Sequence, residues 1–192
     1  MDALLLSLLL NLALDQGSGT QRVVARFGSR FADGDVSPRG IVIGLAAMIA
    51  INAIVGATLG AVVAALLTPD ARLLFLSMAL AIGGTGLMIA ALRPPPAETA
   101  GSMTGLRTLL HFALRRAGEN AAFATAGVAA FTDAPLLTAG GAMIGGWAAL
   151  APSLISGPAI LRHWAMRSFQ LVGGLTILCA GIGCAASALG LL

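Results

Sequence analysis

The sequence predicts an all-α integral membrane protein: six transmembrane helices arranged as two inverted three-helix repeats. Three observations carry that expectation. Of the 192 residues, 58% are hydrophobic and only 10% charged, and the mean hydropathy is +0.94, well outside the range of soluble domains. Pro, Gly, Asp and Arg divide nearly the whole chain into apolar segments of about 20 residues, the length that crosses a bilayer. A polar, glycine-broken stretch also recurs, first as Asp15-Gln16-Gly17-Ser18-Gly19-Thr20-Gln21 and then as Arg115-Arg116-Ala117-Gly118-Glu119-Asn120, each inside a hydrophobic segment. Ionisable groups at that depth cost on the order of 2.5–3.5 kcal/mol each, so they mark the functional centre.

The first segment runs over 3–27. Its purely apolar part, Leu4 to Leu14, is too short to cross alone, so the span must include the polar half. Ser7, Asn11, Asp15, Ser18, Arg22 and Arg26 recur at steps of three and four, which stacks them on one helix face. That face should meet protein or water, and Gly17 and Gly19 weaken the helix where a ligand could approach. A surface loop is expected over 28–39, where Asp33-Gly34-Asp35 precedes Ser37-Pro38. The second helix spans 40–67, with Asn52 its one strongly polar side chain and Gly56 and Gly60 a packing patch. Thr68-Pro69-Asp70 makes a turn into the third helix, which passes through Gly83-Gly84 to Leu92.

Arg93-Pro94-Pro95-Pro96 opens a Pro-rich linker over 93–103 that separates a first repeat, 1–92, from a second, 104–192. The fourth helix (104–131) holds the second polar stretch, the fifth covers 134–156, and the sixth covers 162–189 and carries Gly173-Gly174 where the third carries Gly83-Gly84. Three crossings per half is an odd number, so the halves enter the membrane from opposite sides and their interrupted first helices can meet at the midplane. Asp15, Arg116 and Glu119 then fall in the central third of the bilayer at about 1.5 Å per residue.

All eleven basic side chains are arginines. Arg26, Arg30, Arg39, Arg93, Arg107, Arg162 and Arg167 belong to the loops after the first, third and fifth helices, against Arg72 alone on the other face. The positive-inside rule puts those three loops in the cytoplasm and both termini outside, in a bacterial inner (plasma) membrane. Asp2 and the absence of a basic residue before the leucine run argue against a removable signal peptide. Cys179 and Cys184, five apart, fall on different helix faces and are expected to be structural thiols.

These motifs resemble those of the Golgi calcium/manganese–proton exchangers and their bacterial manganese-exporting relatives, in the lysine-exporter superfamily. That family opens each of two three-helix repeats with Glu-x-Gly-Asp-Lys-Ser/Thr. Asp15 takes the glutamate place, Gly17 the glycine place and Thr20-Gln21 the end of the first copy, while Ser18 and Gly19 stand at the aspartate and lysine places. In the second copy Gly118 is kept, Glu119 stands at the aspartate place, and Arg116 occupies a position where the family has an acid. The resemblance implies a secondary transporter exchanging Mn²⁺ or Ca²⁺ for protons by alternating access. Asp15 and Glu119 would then be the metal-binding carboxylates, with Ser18, Thr20, Gln21 and Asn120 as neutral ligands, since hard cations take oxygen donors.

Arg115 and Arg116 would modulate the charge, because a guanidinium stays protonated. His111, Arg115 and Glu119 share one helix face at four-residue steps, so His111 could relay protons from the cytoplasmic side, although an interfacial side chain is the commoner role for such a histidine. Two other functions fit the same residues. One is export of a small anionic or zwitterionic solute held by Arg115 and Arg116; the other is a non-transporting membrane partner in which Asp15/Arg116 and Arg115/Glu119 are structural ion pairs. No nucleophile triad, phosphate loop, haem motif or zinc spacing occurs, so neither an enzyme nor a permanently bound cofactor is expected. The arginines form no nucleic-acid-binding run. The expected partners are the bilayer, the transported ion and protons, with room for a homo-oligomer.

Overall fold

A computed structural model describes residues 1–16, 18–32, 38–92, 120–157 and 164–191 of the chain. Among them are seven α-helices: α1 (Asp2–Asp15), α2 (Gly19–Ala32), α3 (Pro38–Leu66), α4 (Pro69–Leu92), α5 (Asn120–Thr132), α6 (Pro135–Ser156) and α7 (Trp164–Ala188). Proline punctuates them as its chemistry requires. Pro38, Pro69 and Pro135 each open a helix, where the missing N–H costs nothing. Asp133 turns the chain from α5 into α6 with a φ of 51°, a left-handed conformation that aspartate tolerates better than most side chains. At the end of α7, Gly190 adopts a φ of 67°; its N–H donates to Ser187 and that of Leu191 to Ala186, which satisfies the last carbonyls.

Four stretches are long and apolar enough to cross a membrane: Arg39–Leu66, Pro69–Leu92, Pro135–Ser156 and Met166–Ala188. They match the expected second, third, fifth and sixth helices. The expected first helix is two, because the chain leaves the helix after Asp15 and resumes at Gly19. Its second part also runs on to Ala32, through five residues expected in the surface loop. Nothing in Gly28-Ser29-Arg30-Phe31-Ala32 breaks a helix as proline would, and buried Val24 and Ala25 anchor the preceding turn. Of the expected fourth helix, α5 is the described part. The linker over 93–103 and residues 104–119 lie outside the described residues.

Glycine decides which helices pair. Gly141 and Gly145 of α6 face backbone atoms of Leu4 and Leu8 in α1, so closely that a Cβ at either position would overlap a carbonyl oxygen. Gly60 of α3 receives Ala126 of α5 in the same way, and one turn before it Gly56 lies close to Ala122, where a Cβ would stand 3.1 Å from the carbonyl oxygen. In both pairs the contacts advance together along the two chains, so the helices run parallel. Gly84 of α4 and Gly174 of α7 meet backbone to backbone: a Cβ on the first would lie 2.6 Å from the carbonyl oxygen of the second, and the reverse distance is 2.8 Å. Gly181 of α7 lies against Ser77 and Ala81, so α4 and α7 are antiparallel. Small-xxx-small spacing of this kind lets helices pack by van der Waals contact where lipid supplies no hydrophobic drive.

The order of the contacts fixes the ends of the bundle. Leu4 near Gly141, and Gly181 near Ser77, put both termini at the end that carries the α3–α4 and α5–α6 turns. There a half-buried Arg72 approaches the exposed Asp133 at 4.0 Å. At the other end Arg167 Nε donates to the carbonyl of Ala91 at 2.7 Å, satisfying one of the last carbonyls of α4. The largest apolar cluster joins Leu10 and Leu14 of α1, Leu76, Leu80 and Leu87 of α4, Ala121, Ala124 and Val128 of α5, and Ile177 of α7. A second, of Val24, Leu45, Met48, Ile49 and Leu150, fixes α2 between α3 and α6.

Candidate functional site at the helix interruption

Asp15 ends α1 and is fully buried, as are Thr20 and Gln21 in the first turn of α2. Between the two helices Gln16 is extended, with φ −68° and ψ 118°. Gly17 lies outside the described residues. The Ser18 hydroxyl accepts the N–H of Gln21 at 3.0 Å, three residues on. That is an N-cap bond, in which serine satisfies a donor that the helix start leaves open. The Gln21 side chain, at the position that accompanies serine in a capping box, turns instead to other partners. Its amide donates to Gln16 Oε1 at 2.9 Å and to the Ala149 carbonyl of α6 at 3.3 Å.

Further polar groups come from α7 at the interruption and from α6 at the level of Gly28, farther along α2. Gln170 is buried and donates to the backbone oxygen of Gln16 at 3.4 Å, so α7 is tied to the non-helical turn. Pro152 lies inside α6. Because it has no N–H, the carbonyl of Ala148 loses its helical donor. Beside it Ser153 Oγ is fully buried and has no hydrogen-bond partner among the described residues.

Asn120 begins the described part of α5 and covers Gly86 of α4, where a Cβ would overlap its side-chain amide. Leu14 covers Gly83, less than one turn away on the same helix. The interruption in the first span and the start of α5 therefore reach the same level of α4. Glu119, Arg115, Arg116 and His111 lie outside the described residues.

Toward the end that carries the termini, the polar face expected on the first helix is realised over Ser7, Asn11 and Asp15, all buried. Ser18, Arg22 and Arg26, beyond the interruption, are half-buried. Ser7 Oγ donates to the Thr138 carbonyl at 2.8 Å, and Asn11 Nδ2 donates to the Ser7 carbonyl at 2.9 Å and to Thr125 Oγ1 at 3.0 Å. Thr125 in turn donates to the Ala121 carbonyl at 2.8 Å. A small cavity adjoins this column, lined by Asn11, Asn52 and Thr125 together with Ile49, Ala53, Ala122 and Ala142.

Sequence reasoning left Thr125, Thr138 and Ser153 unassigned. A signal for Thr125 was present: it is the one polar side chain in Ala121–Ala130. Ser153 follows the only proline inside α6. Asp15 is the one buried carboxylate among the described residues; Asp2, Asp70 and Asp133 are exposed. No three His, Cys, Asp or Glu side chains converge among the described residues. Cys179 and Cys184 are free thiols, one exposed and the other half-buried. Comparison with protein-family models, with curated proteins and with solved structures returns no match.

Proposed function

We propose that the protein is a secondary transporter that exchanges a divalent cation, Mn²⁺ or Ca²⁺, for protons, with Asp15 at its binding site. The observation that carries this reading is a fully buried carboxylate at a helix interruption. Irregular backbone at membrane depth survives only where protein or a hydrated cavity receives it, and paired broken helices are the usual way a carrier builds a midplane site. Thr20, buried just after the interruption, and Asn120, whose side chain covers Gly86, would add neutral oxygens. Glu119, the residue before Asn120, would supply the second carboxylate. A cation binds deprotonated carboxylates, so its arrival releases protons and its departure readmits them, which couples the two fluxes.

Six crossings in two inverted halves are part of the proposal, and the pairing supports them. The first span of each half lies on the second span of the other: α1 and α2 on α6, and α5 on α3. The third spans, α4 and α7, lie on one another. Such an exchange of partners is what a two-fold axis in the membrane plane generates. Alternating access then consists of one half rocking on the other, with the arginine-rich end in the cytoplasm.

A non-transporting role is favoured by a different observation: Ser18 caps α2, and the Gln21 and Gln170 amides are engaged with the backbone. One assay separates the two. Purified protein in vesicles with an internal pH reporter is challenged with Mn²⁺ or Ca²⁺. Exchange predicts ion-dependent proton movement that Asp15→Asn and Glu119→Gln each abolish. Wild-type vesicles that are silent, or mutants that transport undiminished, would exclude this site.

A further inference from the structure

Ser153 departs from a habit of the helical hydroxyls in this chain. Thr125, Thr132, Thr138 and Thr176 each donate to the carbonyl four residues back in their own helix, at 2.7 to 3.0 Å. A helical serine has the same bond within reach, by rotation about χ1 alone. Ser153 is fully buried in α6, yet its Oγ is the one buried side-chain polar atom without a partner among the described residues. Leaving a buried hydroxyl unpaired is costly, so something keeps it from its carbonyl.

That carbonyl belongs to Ala149, and a residue of α2 already holds it: Gln21 Nε2 donates to it at 3.3 Å. In an α-helix the same oxygen also takes the N–H of Ser153, and a carbonyl has two lone pairs. A third donor finds no place. The bond that excludes the hydroxyl is itself weak, because 3.3 Å is beyond the usual N–H···O range, whereas the same amide holds Gln16 Oε1 at 2.9 Å.

An exchange of donors at this oxygen changes two helices at once. Gln21 meets α6 at Ala149, and farther along α2 Gly28 lies against the carbonyl oxygens of Ser153 and Leu154. The turn of α6 from Ala149 to Ser153 therefore lies on the seam with α2. While Gln21 holds the Ala149 carbonyl, α2 is fastened to α6. Once the amide leaves, Ser153 can take its place with no loss in the number of bonds to that oxygen. The new bond also bridges Pro152, where α6 lacks a backbone N–H and is free to bend. The fastening thus moves from between two helices to within one.

We propose that Gln21 and Ser153 are alternative donors to the Ala149 carbonyl, and that their exchange is a latch by which α2 is held to α6 or released from it, next to the interruption that follows Asp15. The latch goes beyond the exchanger reading and does not depend on which solute, if any, the protein moves.

Backbone hydrogen exchange of the full chain in lipid nanodiscs, followed by mass spectrometry, reads the release through the amides of α2. Ser153→Ala removes the second donor, so release loses a bond. Exchange in α2 should slow by about fivefold, the worth of one net hydrogen bond. Ser153→Cys nearly keeps the volume but donates weakly, and should follow alanine. Gln21→Met leaves the carbonyl to Ser153 in both states, so in that background Ser153→Ala should change exchange by less than about twofold.

Exchange that is unchanged or faster in Ser153→Ala overturns the proposal. Wild-type exchange in Ser153→Cys traces the effect to volume and overturns it too. So does an equal slowing in both backgrounds, because the hydroxyl would then act without competing with Gln21. Slowing by alanine and cysteine alike supports the latch even where Gln21→Met does not fold, and its cancellation by Gln21→Met establishes the competition.

Discussion

Ser18 could serve at the head of α2 either as an ion ligand or as a cap, and its bond to the N–H of Gln21 is that of a cap. Ser18→Ala is therefore expected to lower unfolding stability by about 1 kcal/mol in a denaturant titration in micelles. Ser18→Thr, which can make the same bond, should restore most of the loss. A ligand role would move ion affinity in the alanine variant and leave stability alone. The sequence could not decide between the two, because a serine before a helix and a serine in a motif look the same until the N–H three residues on has a position. Asp15 was legible. A lone carboxylate among leucines, in step with Ser7 and Asn11, had to face the interior. Asn52 was legible only as polar; that it both ties back to Met48 and lines a cavity depends on where α5 and α6 pack on α3.

Adjacent glycines in α6 behave as opposites. Gly141 lies against the backbone of Leu4, whereas nothing stands within 4 Å of a Cβ at Gly140. Gly141→Ala is expected to force α1 and α6 apart and cost about 1–3 kcal/mol, as overpacking does. Gly140→Ala should be neutral or stabilise by up to about 1 kcal/mol, through helix propensity alone. The same titration on the pair checks both, and equal effects would contradict the close approach. The four full-length spans were legible because apolar length and proline punctuation are local signals. The end of α2 was not. Its arginines and the nearby Asp33-Gly34-Asp35 suggested a loop from Gly28 onward, but polar composition does not stop a helix whose apolar residues pack against α3 and α6.

Pairing is a property of the whole molecule, and there the sequence says least. Gly56 and Gly60 announce a packing patch without naming a partner, and only the assembled bundle assigns them to Ala122 and Ala126. The arrangement makes a prediction at this scale. In a protein with Cys179 and Cys184 replaced by alanine, Asp70→Cys and Asp133→Cys should react with a membrane-impermeant maleimide added to intact cells. Arg39→Cys should react only after permeabilisation. The reverse pattern would invert the orientation, and labelling of all three from one side would break the bundle's two-ended order. The seam between α4 and α7 has a consequence for movement. Side chains interlock like teeth, and rods that mesh that way must disengage before they turn. Where Gly84 meets Gly174 main chain touches main chain, with Leu87 and Met88 of α4 closing over Gly174 at its edge, so the two helices mesh least deeply at that point, and a single methyl group placed there would act as a brake.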